Sequence, residues 1–237
     1  VAKVFSVAAT IDSGAATPES TYQVPGVFVF DEGTDYAKPI KDAYPHGLET
    51  MTLKQILVHS SNIGTMMAAS AIGVSGLHDY LDEFGYGHMT GLEYPGESAG
   101  SLRAADKFRG SEKKTIAYGY GFSATSLQLV SAVNAVANHG VYVAPRLIRS
   151  TIDDKGVVWG TPMGETHRVI SEQTASTMAA MLTEVVCSGT ATRAQVKGIS
   201  VAGKTGTGYK AQDNGTYITE DGTRAYFATF VGFLPAA

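Results

Sequence analysis

The sequence predicts an α+β protein, with helices through the middle of the chain and strands gathered near its end. Several stretches repeat apolar residues at helical spacing, and two of them begin with capping boxes. Two strands are expected late in the chain, at residues 199–208 and 225–234. Hydrophobic residues make up 44% and charged residues 17% of the 237 positions, a balance that indicates a globular chain.

The helices are expected from periodicity and from their end signals. Residues 1–13 repeat apolar side chains at i, i+3 and i+4 spacing. Thr52 with Gln55, and Thr125 with Gln128, form the two capping boxes. The run 60–62 should interrupt the helix that starts at residue 53, because its Ser and Asn side chains compete for backbone hydrogen bonds. Further helices are expected at residues 63–72, 77–84, 126–139 and 171–187.

The remaining segments are expected to be strands, turns and polar loops. Residues 24–30 resemble a strand within a polar stretch, 14–48, that contains glycine and proline. A loop is expected at 91–100. Residues 142–159 are expected to form a hairpin that turns at 153–156, where Asp, Asp, Lys and Gly follow one another.

Composition excludes several classes of function. The formal net charge of −4 argues against a nucleic-acid partner, which requires a basic face. The single cysteine, Cys187, excludes an internal disulfide and a Cys-rich zinc site, and we expect it to be a buried core thiol. No apolar run of 18 or more residues predicts a membrane span. The first helix begins without a capping residue, and we expect both ends of the chain to be cuts in a longer protein.

Familiar catalytic patterns are absent from the sequence. The six histidines are scattered and form no His-x-x-x-His pair, which argues against a zinc-protease site. Residues 121–125 depart from the Gly-x-Ser-x-Gly nucleophile elbow at their last position, Thr125. His59 adjoins Ser60, but we interpret it as a histidine at a helix end.

Three lysine- and serine-containing elements remain. Lys204, Thr205, Gly206 and Thr207 lie on a predicted strand, where a lysine can bind a carboxylate and a backbone N–H can donate to an oxyanion. Ser60 and Asn62 supply a hydroxyl and an amide at a helix interruption. Lys3 lies on the first helix near its apolar face, and burial would lower its pKa and let it act as a base.

The order of these elements is more specific than any one of them. Ser-x-x-Lys, Ser-x-Asn and Lys-Thr-Gly are together the signature of class A β-lactamases and penicillin-binding proteins. Lys3, Ser60-x-Asn62 and Lys204-Thr205-Gly206 follow in that order. The serine of the first motif would be the residue that precedes Val1.

The chain resembles the class B penicillin-binding proteins, in particular the division-type peptidoglycan transpeptidases. The resemblance covers nearly the whole chain and is carried by residues 1–9, 52–64, 91–97, 118–129, 189–191, 201–207 and 227–233. It implies that residues 1–237 are a transpeptidase domain cut at both ends. It also implies an antiparallel sheet of five strands flanked by helices, incomplete in this fragment. The all-helical subdomain would be residues 15–140, and the sheet-associated part residues 1–14 and 141–237.

The resemblance also implies a reaction and roles for the site residues. The serine would attack the D-Ala-D-Ala bond of a peptidoglycan stem peptide, and an amine of a neighbouring stem peptide would take the acyl group. Lys3 would be the base, Ser60 would relay a proton to the leaving nitrogen and Asn62 would bind the substrate amide. Lys204 would support the proton network. The strand residues would bind the terminal carboxylate and, through the N–H of the last one, the oxyanion: Thr205, Gly206 and Thr207.

The resemblance implies further properties of the whole protein. β-Lactams would acylate the same serine, and no metal or organic cofactor is implied. The implied location is the extracytoplasmic face of the bacterial membrane, held by an anchor outside this fragment, among other cell-wall synthesis proteins.

Three alternatives remain open. A serine β-lactamase would need a group that activates water, but no Glu-x-x-x-Asn loop lies between the second and third motifs, and the second motif is Ser-Ser-Asn instead of Ser-Asp-Asn. A D,D-carboxypeptidase is poorly separated from a transpeptidase by sequence. A non-catalytic penicillin-sensing domain would keep the motifs without peptide turnover.

Overall fold

The structure is a computed structural model that describes residues 1–30, 38–92, 94–210, 212–213, 216–219 and 221–236. Seven α-helices lie within these described residues. The loops expected at 14–48, 91–100 and 209–224 extend in part over residues outside these ranges. The helices are α1 (Lys3–Asp12), α2 (Leu53–Val58), α3 (Asn62–Ala69), α4 (Gly73–Glu83), α5 (Glu112–Thr115), α6 (Ser126–Ala137) and α7 (Glu172–Cys187).

Three of the predicted helix starts are confirmed by their caps, whereas α4 begins at Gly73 and not at the expected residue 77. Thr52 and Thr125 each accept a hydrogen bond from the backbone three residues on, and Gln55 and Gln128 complete both capping boxes. The Ser171 hydroxyl caps α7 by accepting from the Thr174 N–H. Each such cap satisfies a backbone donor that the helix leaves free, and contributes about 1 kcal/mol.

Helix α1 lies at the centre of the main core. Helices α2, α3, α4 and α7 all contact it. Phe5 is fully buried and its ring packs 4.9 Å from Phe84 and 5.3 Å from Tyr86. A helix surrounded in this way buries even its polar positions, and the environment of Lys3 follows from that.

Twelve short strands pair two by two, all antiparallel, within the described residues. The longest pair is β11 (Ala202–Tyr209) with β12 (Tyr226–Phe233), in register from Ala202 opposite Phe233 to Tyr209 opposite Tyr226. Helix α7 packs against β11. The others are β1 (Thr21–Val24) with β4 (Glu49–Thr52), β2 (Val27–Phe30) with β3 (Lys38–Lys41), β5 (Ser101–Leu102) with β6 (Phe122–Ser123), β7 (Val141–Val143) with β10 (Thr166–Arg168), and β8 (Ser150–Ile152) with β9 (Val158–Gly160).

The hairpin prediction for residues 142–159 was wrong in its first half. The turn at 153–156 is correct, and it joins β8 to β9. Tyr142, however, lies in β7 and pairs with His167 of β10, on whose ring its own ring stacks at 5.0 Å. Pro145 follows β7 and has no N–H to donate, which ends the ladder before β8.

The expectation of an all-helical part at residues 15–140 also needs correction. Strands β1 to β6 all lie in this region, beside α2 to α6. The short strand β3 matters most, because the residues that follow it contact the second motif. The division of the chain into residues 15–140 and the two flanking parts stays a prediction.

The interpretation of Cys187 as a core thiol was wrong, because the residue is exposed. The buried face of α7 includes Met178, Met181, Leu182 and Val185. Cys187 follows Val185 by two positions, which is about 200° around a helix of 3.6 residues per turn. Its side chain therefore leaves the core face. No helix among the described residues has the length and apolarity needed to cross a membrane.

Candidate active site

Lys3 stands in the first turn of α1 with its side chain in the core. The residue is only 8% exposed. Its Nζ donates to the Ser60 Oγ at 3.0 Å and also to the Ser60 carbonyl oxygen. The first and second motifs, far apart in sequence, therefore meet through a direct contact.

The second motif lies between α2 and α3. Helix α2 ends at Val58 with His59 as its C-cap, and Ser60 takes a left-handed conformation with φ of 59°. Ser61 then caps α3 by accepting from the Gly64 N–H at 2.8 Å. The predicted interruption is confirmed, and it turns the Ser60 hydroxyl toward Lys3.

Asn62 is half-buried, and its side-chain amide donates to the Lys41 carbonyl at 2.8 Å.

Asp42 was missed in the sequence and lies beside this motif. One carboxylate oxygen accepts from the Asn62 N–H at 2.5 Å and the Ile63 N–H at 3.1 Å. The other accepts from the Ser61 hydroxyl at 2.6 Å and lies 3.1 Å from His46 Nε2. A single aspartate within the expected polar stretch 14–48 belongs to no motif, so no sequence signal identified it.

The third motif lies on β11. Lys204 is 1% exposed, and its Nζ donates to the Thr205 carbonyl at 3.2 Å and to the Thr190 hydroxyl at 3.4 Å. The Thr205 hydroxyl also donates to the Thr190 hydroxyl, at 3.0 Å. The flanking glycine Gly203 has no room for a side chain, because a Cβ there would lie 2.4 Å from the Phe230 ring. Close packing against β12 thus holds the lysine strand in place.

Both lysines of the site have lowered pKa values. Burial first, and the positive charge of Lys204 second, lower the pKa of Lys3 to about 7, while the negative charge of Asp42 acts in the opposite direction. Burial lowers the pKa of Lys204 to about 8. An ordinary lysine has a pKa near 10.4, roughly three units above neutrality. At neutral pH a large share of Lys3 is uncharged and able to accept a proton.

A cleft of about 640 Å³ joins the three motifs. Val1 and Lys3 line it together with Ser60 and Asn62 of the second motif. Residues 205–209 of β11 also line it, and the buried Lys204 contacts two lining residues, Thr190 and Thr205. Four tyrosines that the sequence interpretation left without a role also line the cleft: Tyr118, Tyr120, Tyr209 and Tyr226.

The structure brings all of the predicted site residues to this one cleft or directly behind it. Thr205, Gly206 and Thr207 line it together with Ser60 and Asn62. Within the described residues no cluster of three His, Cys, Asp or Glu side chains could hold a metal ion. The arrangement combines a partly neutral buried lysine, a hydroxyl in contact with it and a strand with polar side chains, which suits acyl transfer to a nucleophile next to Lys3.

The family model described as the penicillin-binding protein transpeptidase domain matches residues 1–237. The chain belongs to this family. The class B resemblance and the α+β fold expected from the sequence are both confirmed for this transpeptidase domain.

Three relatives illustrate the likeness. Penicillin-binding protein PbpB of Mycolicibacterium smegmatis is 36% identical over 244 residues, which cover 100% of the chain and 36% of PbpB. The probable peptidoglycan D,D-transpeptidase PenA of Neisseria meningitidis is 32% identical over 199 residues, covering 84% of the chain and 31% of PenA. Penicillin-binding protein 3 from Mycobacterium tuberculosis, in complex with aztreonam, matches with a TM-score of 0.90 at 35% identity, covering 99% of the chain and 52% of that one. The transpeptidase domain thus spans about a third of these curated relatives.

Proposed function

We propose that this domain is the catalytic part of a peptidoglycan D,D-transpeptidase, which cross-links stem peptides through an acyl-enzyme on a serine. The observation that carries the proposal is the contact between Lys3 Nζ and Ser60 Oγ, 3.0 Å apart, in a cleft that residues 205–207 of β11 also line. The name of the Neisseria meningitidis relative, a probable peptidoglycan D,D-transpeptidase, supports the same chemistry.

The nucleophile in this proposal is a serine that precedes Val1 in the complete protein. Its support is geometric. A methyl group on Gly206 would lie 2.8 Å from the Val1 nitrogen, so the position bonded to that nitrogen adjoins β11. That position is also three residues before Lys3, and side chains three apart are neighbours on a helix. A serine there would be within reach of the Lys3 amine and the Ser60 hydroxyl.

The acylation step then runs as follows. Neutral Lys3 takes the serine proton while the serine oxygen bonds to the carbonyl carbon of the penultimate D-Ala. The oxyanion receives hydrogen bonds from the Thr207 N–H and the serine's own N–H. The carbon–nitrogen bond breaks, and the proton passes from Lys3 through the Ser60 hydroxyl to the leaving nitrogen of the terminal D-Ala. Asn62 binds the substrate amide in this complex.

Deacylation reverses the roles. The amine of a second stem peptide attacks the ester carbon, gives its proton to Lys3 through Ser60, and the carbon–oxygen bond to the serine breaks. The serine recovers its proton from Lys3. In the preceding acylation step, Thr205 and Thr207 hold the terminal carboxylate of the donor through their hydroxyl groups, and Lys204 supports the proton network. A β-lactam carries a comparable carboxylate and acylates the same serine, and the aztreonam complex of the Mycobacterium tuberculosis relative supports this point.

The setting of the complete protein is part of the same proposal. Its substrate is assembled outside the cytoplasmic membrane, so the domain would work at the extracytoplasmic face, anchored by a segment outside these 237 residues and beside other cell-wall synthesis proteins. The names of two similar proteins, a probable peptidoglycan D,D-transpeptidase and a peptidoglycan synthetase, support a role in cell-wall synthesis.

The experiment combines two substrates with the complete protein. A fluorescent penicillin should give one stable adduct, and a stem pentapeptide ending in D-Ala-D-Ala should release D-Ala and form a cross-linked dimer when an acceptor peptide is present. Release of D-Ala without dimer would indicate a carboxypeptidase, and penicillin hydrolysis within minutes a β-lactamase. A stable adduct without any peptide turnover would indicate a sensor. Each of these three outcomes would overturn the transpeptidase proposal.

A further inference from the structure

We propose that Asp42 is a positioning residue for acyl transfer, because its buried carboxylate holds the second motif in the conformation that presents Ser60 to Lys3. The inference rests on the transpeptidase function proposed above. Asp42 lies just after β3, outside all three sequence motifs.

The carboxylate of Asp42 is fully enclosed. Its side chain is 0% exposed, and groups of the second motif and His46 surround it. The Ser61 hydroxyl donates at 2.6 Å, the Asn62 N–H at 2.5 Å and the Ile63 N–H at 3.1 Å. Buried charged groups persist only when they are paired and hydrogen-bonded in this way. The contacts therefore fix the position of the chain at the start of α3.

These contacts lie at the first turn of α3, where backbone N–H groups have no partner inside the helix. A negative charge there is favoured by the helix dipole as well as by the hydrogen bonds. The Asn62 side chain adds a further tie, since it donates to the Lys41 carbonyl at 2.8 Å. The segment 41–42 thus holds the first residues of α3 at several points.

Ser60 is the residue that depends on this anchoring. It immediately precedes the anchored residues and has a φ of 59°, a left-handed conformation that is unfavourable for a non-glycine residue. Such a conformation persists only where its surroundings enforce it. The Asp42 contacts on one side and the end of α2 on the other supply that enforcement. The result is the 3.0 Å contact between Ser60 Oγ and Lys3 Nζ.

The carboxylate does not belong to a second nucleophilic triad. It lies between His46 and Ser61, with His46 Nε2 at 3.1 Å on the same oxygen that accepts from the Ser61 hydroxyl at 2.6 Å. In a nucleophilic triad the histidine stands between the carboxylate and the hydroxyl. Here His46 steadies the carboxylate, and its side chain is itself 2% exposed.

Asp42 also acts on Lys3 through its charge. It raises the pKa of Lys3 against the larger effects of burial and of Lys204, which lower it. The titratable groups around the carboxylate are Lys3, His46, Tyr44 and Tyr118, and Glu49 lies beyond His46. Removing the charge while keeping the shape should lower the pKa of Lys3. In a plot of acylation rate against pH, the acid limb should then move to lower pH.

The test uses Asp42→Asn in the complete protein, with the rate of acylation by a fluorescent penicillin measured from pH 5 to 9. We expect the rate at the optimum to fall by about tenfold or more, since misplacement by about 1 Å can cost a factor of 10². We expect the acid limb to move down by roughly 0.5 to 1 pH unit, because an opposite charge has been removed. A purely structural role would lower the active fraction without moving this limb.

Two further variants keep the test decisive. Asp79→Asn, at a position whose side chain is 78% exposed on α4, should leave rate and pH profile unchanged. Asp42→Glu keeps the charge but displaces it in a closed site, so it should lower the rate constant of acylation while the fraction of protein that finally labels stays at the wild-type value. A purely structural role would lower that fraction instead, so this variant decides the matter if Asp42→Asn melts below the assay temperature. A wild-type rate and profile in the Asp42 variants would overturn this inference and leave the proposed function standing. An unmodified protein that does not label would overturn both.

Discussion

Lys3 Nζ lies 3.0 Å from Ser60 Oγ, although 57 residues separate the two in the chain. The packing of α1 against α3 brings them together, and the left-handed conformation of Ser60 turns its hydroxyl toward the amine. The same amine also donates to the Ser60 carbonyl oxygen. A buried lysine with a lowered pKa thus has a hydroxyl and a carbonyl of the same residue as its partners, which suits an amine that gains and loses a proton during the reaction.

The first prediction concerns the Lys3 amine. Lys3→Arg should lower the rate of penicillin acylation in the complete protein by about 10² to 10⁴, because a guanidinium stays protonated and cannot act as a base. Lys54→Arg, on the exposed side of α2, is the matched control and should acylate normally. Circular dichroism checks that both variants fold. Acylation by folded Lys3→Arg at close to the normal rate would remove Lys3 from the mechanism.

The second prediction concerns stability against pH. The pKa of Lys3 is about 7 in the folded state, below its value of 10.5 in the unfolded chain. Between these values the unfolded chain binds the proton and the folded protein does not, so the free energy of unfolding rises with pH. Lys204, with a pKa of about 8, adds to this slope above pH 8.

Lys3→Met should therefore flatten the increase between pH 7 and pH 9, measured by urea unfolding. It should also stabilise the folded state at pH 7, since each unit of lowered pKa corresponds to about 1.4 kcal/mol. Equal slopes in the two proteins would mean that Lys3 is charged in the folded state, contrary to its proposed role as a base.

The third prediction separates the backbone of Ser60 from its hydroxyl. Ser60→Ala and Ser60→Gly both lose the hydroxyl and should both acylate slowly. They should differ in stability, because glycine takes a φ of 59° without strain and alanine does not. We expect Ser60→Gly to unfold with a free energy about 1 kcal/mol higher than Ser60→Ala. The reverse order in thermal melts would show that the left-handed conformation is not present in solution.

The fourth prediction concerns the contact between β11 and the start of the chain. A Cβ on Gly206 would lie 2.6 Å from Thr229 Oγ1 and 2.8 Å from the Val1 nitrogen. Gly206→Ala should push these elements apart and slow acylation by about tenfold or more. Gly160→Ala is the control, because Gly160 is a strand glycine with no atom within 4 Å of an added Cβ. Normal acylation by Gly206→Ala would show that the close approach is not needed.

The sequence predicted the helices and motifs that depend on local signals. Neighbouring residues determine the capping boxes at Thr52 and Thr125 and the interruption at Ser60. The structure has all three where they were expected. The hairpin failed because its pairing depended on a distant segment. Tyr142 pairs with His167, and no local pattern distinguishes that partner from a nearer strand.

The site could be predicted only as far as its motifs reach. Lys3, Ser60 and Lys204 belong to three motifs that follow in a known order, so the sequence predicted that they share one site. Asp42 contacts the second motif only because the fold brings the end of β3 beside it, and Thr190 contacts Lys204 from outside β11. Such partners become visible only when the chain is folded, because burial and hydrogen bonding, and not their spacing, give them their role.

The most direct test of the account is the position of the penicillin adduct. The complete protein would be acylated with penicillin, digested and mapped by mass spectrometry. The account predicts a single adduct on a serine bonded to Val1, in the peptide that contains Lys3, and no adduct on the same protein after that serine is changed to alanine. An adduct on Ser60, Ser61 or any residue other than that serine would contradict the account, since the nucleophile would then lie elsewhere.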